Sequence, residues 1–385
     1  MSHIIKLQID GQVLSEIQKT GIGWCVWRLT ERLVKTDGFD IQINYFSKGH
    51  TPEQIASVYS FENENVRVHE IKRIKSWVYK MHSLFIPIPY KRLAGKDADV
   101  SCFMNFYIPP FAPGKKISIV YDMVAKAYPE TMEMKTKILL GSTLKSSVKR
   151  ADRIITISNA AKNEIIKYYN IPPDKITVMP MGVEREYSPN TDGIGIIKDK
   201  YGINGDYFMY LGTLEPRKNI DTLIKAYDIL RHRTADAPQL VIAGKKGWSY
   251  ESIFDLTEKL GLKDNVIFTG YIDRDEIPVL LSGAKAFVFP SVYEGFGMPP
   301  LEAMACGCPV IASDVSAMPE VIADAGILCD PNKPEEFADA MNKICSDSAL
   351  AEKLKEKGIK RAGEYTWDNA AEIFAKTIKE LYHEQ

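Results

Sequence analysis

Cysteine is scarce and unpaired. The six residues Cys25, Cys102, Cys306, Cys308, Cys329 and Cys345 include no Cys-x-x-Cys, and none stands with histidine at the spacing of a zinc site. This excludes a disulfide scaffold and a zinc ribbon and reads as reduced, mostly buried thiols. No segment approaches the ~20 apolar residues that cross a bilayer. The opening Met-Ser-His-Ile-Ile-Lys-Leu also lacks a basic stretch followed by a long apolar run. The expected location is therefore cytoplasmic. Charge of one sign is lacking too: 49 basic residues face 50 acidic ones, so the whole-chain field draws in neither nucleic acid nor acidic polymers, and no nucleic-acid partner is expected.

What the chain does contain is alternation. At 385 residues it exceeds the size at which one core keeps growing, and short β-branched runs alternate with longer amphipathic segments from end to end, the pattern of βαβ units. Strands are expected at Ile4–Asp10, Ile41–Phe46, Val66–Ile71, Val100–Met104, Ile117–Tyr121, Arg153–Ile157 and Ile176–Met179. Residues 187–206 are rich in Pro, Asn, Asp and Gly and read as a linker. The pattern restarts at Tyr207–Leu211, Leu240–Ala243, Val266–Thr269, Ala286–Phe289 and Val310–Ala312. The expected fold class is α/β, with Rossmann-like domains at 1–190 and 206–366. A last helix over 367–385, capped by Asp368, is expected to join the first domain.

Three turns carry candidate chemistry. Gly21-Ile22-Gly23 opens a helix shortly after the first strand, where backbone N–H groups can approach a phosphate; alone it is a common strand-to-helix turn. Gly212-Thr213-Leu214-Glu215-Pro216-Arg217-Lys218-Asn219 follows a strand directly. It brings a forked guanidinium and a point charge to the edge of an open sheet where ligands bind, which suits a diphosphate leaving group. The third runs Glu294-Gly295-Phe296-Gly297-Met298-Pro299-Pro300-Leu301-Glu302: a glycine-bearing loop with one carboxylate, then a helix started by proline with a second carboxylate in its first turn.

These runs, with Ala151-Asp152-Arg153-Ile154-Ile155-Thr156-Ile157-Ser158 and Gly182-Val183, resemble the retaining glycosyltransferases of family 4 over nearly the whole chain. The resemblance implies the GT-B fold, two facing Rossmann-like domains with parallel sheets and a deep cleft between them. It implies that Arg217 and Lys218 neutralise the donor diphosphate and that Glu302 holds the ribose. Glu294, with the backbone of Gly295, Phe296, Gly297 and Met298, would place the donor hexose, and the Leu301 N–H would touch phosphate. Gly21, Gly23, Gly212 and Thr213 would line the donor site, with Gly23 reaching the diphosphate from the opposite domain, and Tyr271 would lie near the base. Asp122 is carried over as catalytic. Tyr121 stands where relatives often have His, so the resemblance assigns no role to position 121. The implied mechanism is front-face attack with retention, the departing phosphate taking the acceptor's proton.

No cofactor and no metal are expected. Asp97-Ala98-Asp99 and Asp273-Arg274-Asp275 match the short D-x-D pattern of metal-using transferases, but each is read as structural, by a strand and at a helix cap. Residues 71–96 hold Lys72, Arg73, Lys75, Lys80, Lys91, Arg92 and Lys96 with no acidic residue, among Trp77, Tyr79, Phe85 and Tyr90. That stretch suits an anionic membrane surface, giving peripheral attachment at the inner face, and equally suits a solvated helix over core aromatics. The expected function is transfer of a hexose from a nucleotide-diphosphate sugar, GDP-mannose ahead of UDP-sugars, to a glycan or lipid-linked acceptor in cell-surface polysaccharide synthesis. A sugar-nucleotide 2-epimerase of the same fold and a non-catalytic nucleotide-sugar binder are the alternatives.

Overall fold

Among the described residues every strand-to-strand pairing within the sheets is parallel, which forces each chain return through a crossover and lets helices cover the sheets. The computed structural model describes residues 4–234 and 236–384, with only the backbone of Leu84, Phe85 and Lys135; the Phe85 side chain of the basic stretch thus lies outside the described residues.

The first sheet holds β1 (Ile5–Asp10), β2 (Phe39–Tyr45), β3 (Val66–Glu70), β4 (Val100–Phe103), β5 (Lys115–Ile119), β6 (Arg153–Thr156) and β7 (Ile176–Val178), in the order β3-β2-β1-β4-β5-β6-β7. The second holds β8 (Tyr207–Leu211), β9 (Gln239–Ala243), β10 (Val266–Gly270), β11 (Ala286–Phe289), β12 (Val310–Ser313) and β13 (Gly326–Cys329), in the order β10-β9-β8-β11-β12-β13. Central strands such as β4, β11 and β12 are buried on both faces, so they read as continuous apolar runs and not as alternating ones. Strand order reverses between β1 and β4 and again between β8 and β11. Loops leaving the carboxyl ends of those strands diverge there and open a crevice. The edge strand β13, Gly-Ile-Leu-Cys, escapes sequence reading because only Ile327 in it is β-branched and three of its four residues are half-buried.

The chain forms two compact units, Met1–Gly182 with Trp367–Gln385, and Val183–Thr366. The division falls earlier than the linker expected at 187–206. That stretch carries the helix Ile194–Tyr201 of the second unit, ended by Gly202 in the left-handed conformation. The two chain passages that bound the second unit meet: the Val183 N–H donates to the Tyr365 carbonyl at 3.0 Å. The last helix, Trp367–His383, lies in the first unit and buries Phe374, Ile378 and Leu381. Asp368 is inside this helix and not its cap. The chain is still extended at Thr366, which bridges Val183, so helical geometry begins with Trp367 and leaves the Asp368 carboxylate to pair with Arg32 at 2.5 Å.

One glycine is required by the approach of two backbones. Gly244 ends β9 at φ 144°, and a Cβ there would lie 1.8 Å from the Gly212 carbonyl oxygen, a main-chain atom that cannot swing aside. Gly244→Ala is expected to cost about 3 kcal/mol or more, seen as a fall in Tm of roughly 6–12 °C. Gly202→Ala, whose Cβ would meet nothing within 4 Å, should cost about 1 kcal/mol. Equal melting of the two variants would contradict this account.

Candidate functional site

A densely bonded charged cluster of the second unit lies in the loops that follow the two strands where its order reverses. After β8 the chain makes one tight turn, Pro216–Lys218, ended by Asn219 in the left-handed region at φ 54° before the helix Ile220–Arg233. Asparagine tolerates that region better than most residues, and here its amide is used. Asn219 Nδ2 donates to the carbonyls of Pro290 at 3.1 Å and Pro331 at 2.8 Å, tying the turn to the loops after β11 and β13. The Val292 N–H donates to the Arg217 carbonyl at 3.0 Å, so the two loops are laced by main chain as well.

Glu294 sits between both cations. Its carboxylate meets Lys218 Nζ at 2.6 Å and Arg217 Nη1 at 3.0 Å. Arg217 also donates to the Tyr293 carbonyl at 2.8 Å and to the Glu215 carboxylate at 2.7 Å. Lys218 and Glu294 are only 10% and 11% exposed in their side chains. Burial pushes the Glu294 carboxyl up, but the charges of Arg217 and Lys218 outweigh it and hold the group at about 2. Burial pulls the Lys218 ammonium down, and Glu294 opposes that. The cluster is a preorganised set of charges in a water-poor setting, where each is worth more to a developing anion than in solvent.

The second carboxylate behaves oppositely. The helix begins at Met298, so Glu302 stands in its second turn and not its first. Burial raises its carboxyl to about 7; the Arg274 charge and a hydrogen bond from Tyr187 pull the other way, while Glu184 and Glu186 add to the rise. Between the two carboxylates, Gly297 takes φ 107°, and a Cβ on it would lie 2.2 Å from Met318 Cε. The Leu301 N–H, expected to touch phosphate, donates to the Gly297 carbonyl at a long 3.3 Å. Pro299 and Pro300 have no N–H, so the amide donors at this helix start are those of Met298 and the loop before it. Phe296 is buried and stands edge-on to Tyr365.

Tyr271 follows β10 at 60% exposure with the Lys245 ammonium 4.9 Å from its ring centroid. Gly212 is hemmed by Tyr210, whose hydroxyl would be 2.7 Å from an added Cβ, and that hydroxyl donates to the Thr213 carbonyl at 3.4 Å. In the first unit the helix Gly21–Leu33 is capped by Thr20, which accepts from the Gly23 N–H at 3.2 Å, so this amide already has a partner; Gly21 faces open space. Asp122 accepts from the Val124 N–H at 3.1 Å. Tyr121 is buried and its hydroxyl donates to the Met104 carbonyl at 2.9 Å, joining the ends of β4 and β5. Both D-x-D triplets are engaged in pairs: Asp97 with Lys6 at 2.7 Å and Asp273 with Lys200 at 3.3 Å.

Sequence reading missed Glu215, the buried partner of Arg217, and Ser316, in the turn after β12. Ser316 Oγ accepts from the Glu294 N–H at 2.7 Å and donates to the Glu294 carbonyl at 2.5 Å. The run Glu-Pro-Arg-Lys pointed toward Glu215; nothing local marks Ser316, which lies 22 residues from the group it binds.

Two family models divide the chain: the model described as Glycosyltransferase Family 4 matches residues 19–187, and that described as Glycosyl transferases group 1 matches residues 194–361. Among curated proteins, the chain is 32% identical to the O-antigen chain mannosyltransferase B of Escherichia coli over 69% of its own length and 70% of that protein. It is 28% identical to the O-antigen chain mannosyltransferase RfbU of Salmonella typhimurium over 86% and 89%. It spans 28% of the length of a larger serotype-specific mannosyltransferase of Escherichia coli, at 34% identity. Among solved structures, sucrose-phosphate synthase from Thermosynechococcus elongatus matches with a TM-score of 0.75 at 19% identity, covering 98% of this chain and 99% of that one. Anabaena HepE, solved with UDP and glucose, matches with a TM-score of 0.73 at 17% identity, over 98% and 100%. With two parallel-sheet Rossmann-like units and matches of this extent, the chain belongs to the family-4 glycosyltransferases of the GT-B fold.

Proposed function

We propose that this enzyme transfers mannose, with retention, from GDP-mannose to a glycan or lipid-linked acceptor in the synthesis of a cell-surface polysaccharide. The observation that carries the reading is the buried contact of Arg217 and Lys218 with Glu294 at the point where strand order reverses. Mannose as the donor sugar is supported by the relatives named above, which are O-antigen mannosyltransferases. Arg217 and Lys218 neutralise the diphosphate as the glycosidic bond to it breaks, and Glu294 accepts from hydroxyls of the hexose. Gly295, Gly297 and Met298 supply backbone contacts, Glu302 accepts from the ribose, and Tyr271 borders the base. The acceptor oxygen attacks the face that the phosphate leaves, and a phosphate oxygen takes its proton, so the protein supplies charge and position and no nucleophile. In this reading Asp122 keeps its catalytic role, and Gly21, Gly23, Gly212 and Thr213 keep theirs in donor binding. With two cations assigned to the diphosphate in this reading, transfer is expected to persist in EDTA.

The deciding experiment supplies GDP-mannose and UDP-glucose with a mannose-terminated acceptor and reads the product by mass spectrometry and its anomer by NMR. An α-linked mannoside from GDP-mannose supports the reading; a UDP-sugar as the only substrate moves the donor. Conversion without acceptor to an epimeric nucleotide sugar would mean an epimerase, and binding without turnover a non-catalytic binder. Lys218→Ala should lower kcat by about 100- to 1000-fold, the usual cost of removing a preorganised charge at a developing anion. Activity within twofold of the parent would remove Lys218 from the mechanism.

Glu302 adds a pH dependence. Its carboxyl titrates at about 7, so it is mostly protonated at pH 6 and mostly ionised at pH 8, and ribose hydroxyls donate best to the ionised form. Calorimetric affinity for GDP should rise up to about tenfold over that interval. The step belonging to this carboxyl should vanish in Glu302→Gln; identical profiles for the two proteins would contradict the assignment.

Peripheral membrane attachment through residues 71–96 is part of the proposal in altered form. Tyr79 and Tyr90 are core residues, whereas Trp77 at 64% and Ile86 at 66% are exposed on and after the helix Ser76–Phe85. The basic residues Lys72, Arg73, Lys75, Lys91, Arg92 and Lys96 are exposed around them, and each adds about 1 kcal/mol near an anionic surface. Among the described residues no helix is long and apolar enough to cross a membrane. The protein should sediment with phosphatidylglycerol vesicles, less so in high salt or as Trp77→Ser, and not with phosphatidylcholine alone. Absence of binding to the anionic vesicles would overturn this part.

A further inference from the structure

We propose that Ser316 is a positioning residue for Glu294, one that sets where the carboxylate meets the donor sugar without touching the substrate. The proposal rests on the reading that Glu294 positions the donor hexose. The carboxylate of Glu294 is fixed at its tip by Arg217 and Lys218. Arg217 also holds the main chain just before it, through the Val292 N–H and the Tyr293 carbonyl, but neither cation bonds the N–H or carbonyl of Glu294 itself. The main chain is fixed from a third strand. Ser316, beyond β12, closes both polar backbone groups of Glu294 with one hydroxyl, accepting from its N–H at 2.7 Å and donating to its carbonyl at 2.5 Å. The Ala317 N–H adds a weaker bond to the same carbonyl at 3.4 Å.

The conformation of Ser316 is the independent observation. Its φ is 55°, in the left-handed region that a serine adopts only against its own preference. Glycine would sit there without strain, but glycine has no hydroxyl. The strained residue is the one whose side chain reaches the site, and strain of this kind gathers where the surroundings hold a functional group in place. Asn219, a second non-glycine residue with positive φ at the cluster, likewise uses its side chain to tie site loops together. The loops after β8, β11 and β12 are thereby locked before any donor arrives, which is the condition for charges to act without reorganising during the reaction.

The test uses the full-length enzyme and whichever of GDP-mannose, UDP-glucose or UDP-galactose it turns over, reading nucleoside diphosphate release with water as acceptor. Ser316→Gly removes the hydroxyl and relieves the backbone, and Ser316→Ala removes the hydroxyl and keeps the strain. Both should lose at least about tenfold in kcat, while the Kd for the free nucleoside diphosphate stays within about twofold of the parent, because Glu294 faces the sugar and not the nucleotide. Ser316→Gly should add little to the loss already caused by Glu294→Gln, since both act through one carboxylate. Parental kcat in Ser316→Gly alongside an impaired Glu294→Gln, or losses that multiply in full in the double variant, would overturn the role of Ser316 alone. Parental kcat in Glu294→Gln would instead remove the reading of Glu294 and the proposal with it. Melting temperatures of all variants separate a loss of catalysis from a loss of fold.

Discussion

Burying a carboxylate against two cations costs desolvation on every member, and the arrangement persists only if hydrogen bonds complete each group. Around Glu294 they do. Arg217 spends its fork on Glu294, Glu215 and the Tyr293 carbonyl, and Lys218 meets Glu294 while its ammonium lies 4.9 Å from the centroid of the Phe289 ring. The other loops at the carboxyl edge of the second sheet are arranged to keep this cluster intact, through Asn219 to the ends of β11 and β13 and through Ser316 from beyond β12.

The parallel sheet makes that convergence available. Four strands in a row, β8, β11, β12 and β13, end at one edge, and strands about 4.8 Å apart bring their exit loops within side-chain reach of one another. An antiparallel pair would have placed alternate loops at opposite ends. The same geometry explains Gly244, where β8 and β9 part so closely that a Cβ would meet the Gly212 carbonyl.

Two glutamates eight residues apart are chemically identical in the unfolded chain and distinct in the folded one. Glu294 is held at about 2 by two adjacent cations, and Glu302 is raised to about 7 by burial with Arg274 and Tyr187 as its main compensation. One carboxylate is therefore permanently charged near neutrality, and the other can gain or lose its proton there. A single helix start separates these environments: Gly297, in its left-handed conformation, turns the chain from the loop that faces the cations into the helix that faces Tyr187 and Arg274.

Much of this was written locally. Apolar runs bounded by glycine and proline located twelve of the thirteen strands among the described residues, most plainly those buried on both faces, where the apolar run is unbroken. The cations of Arg217 and Lys218 and the carboxylates of Glu294 and Glu302 could be read from their places beside strand ends. The unit boundary at 182/183 could not, because it depends on which core the segment after β7 packs against and not on its loop-like composition. Nor could the partnership of Tyr121 with Met104, the burial of Tyr79 and Tyr90 within a basic stretch, or the bond from Ser316 to Glu294. Periodicity and turn chemistry act over a few residues and are visible in sequence, whereas pairings between loops of separate strands exist only once the sheet has set strand order and brought those loops to one edge.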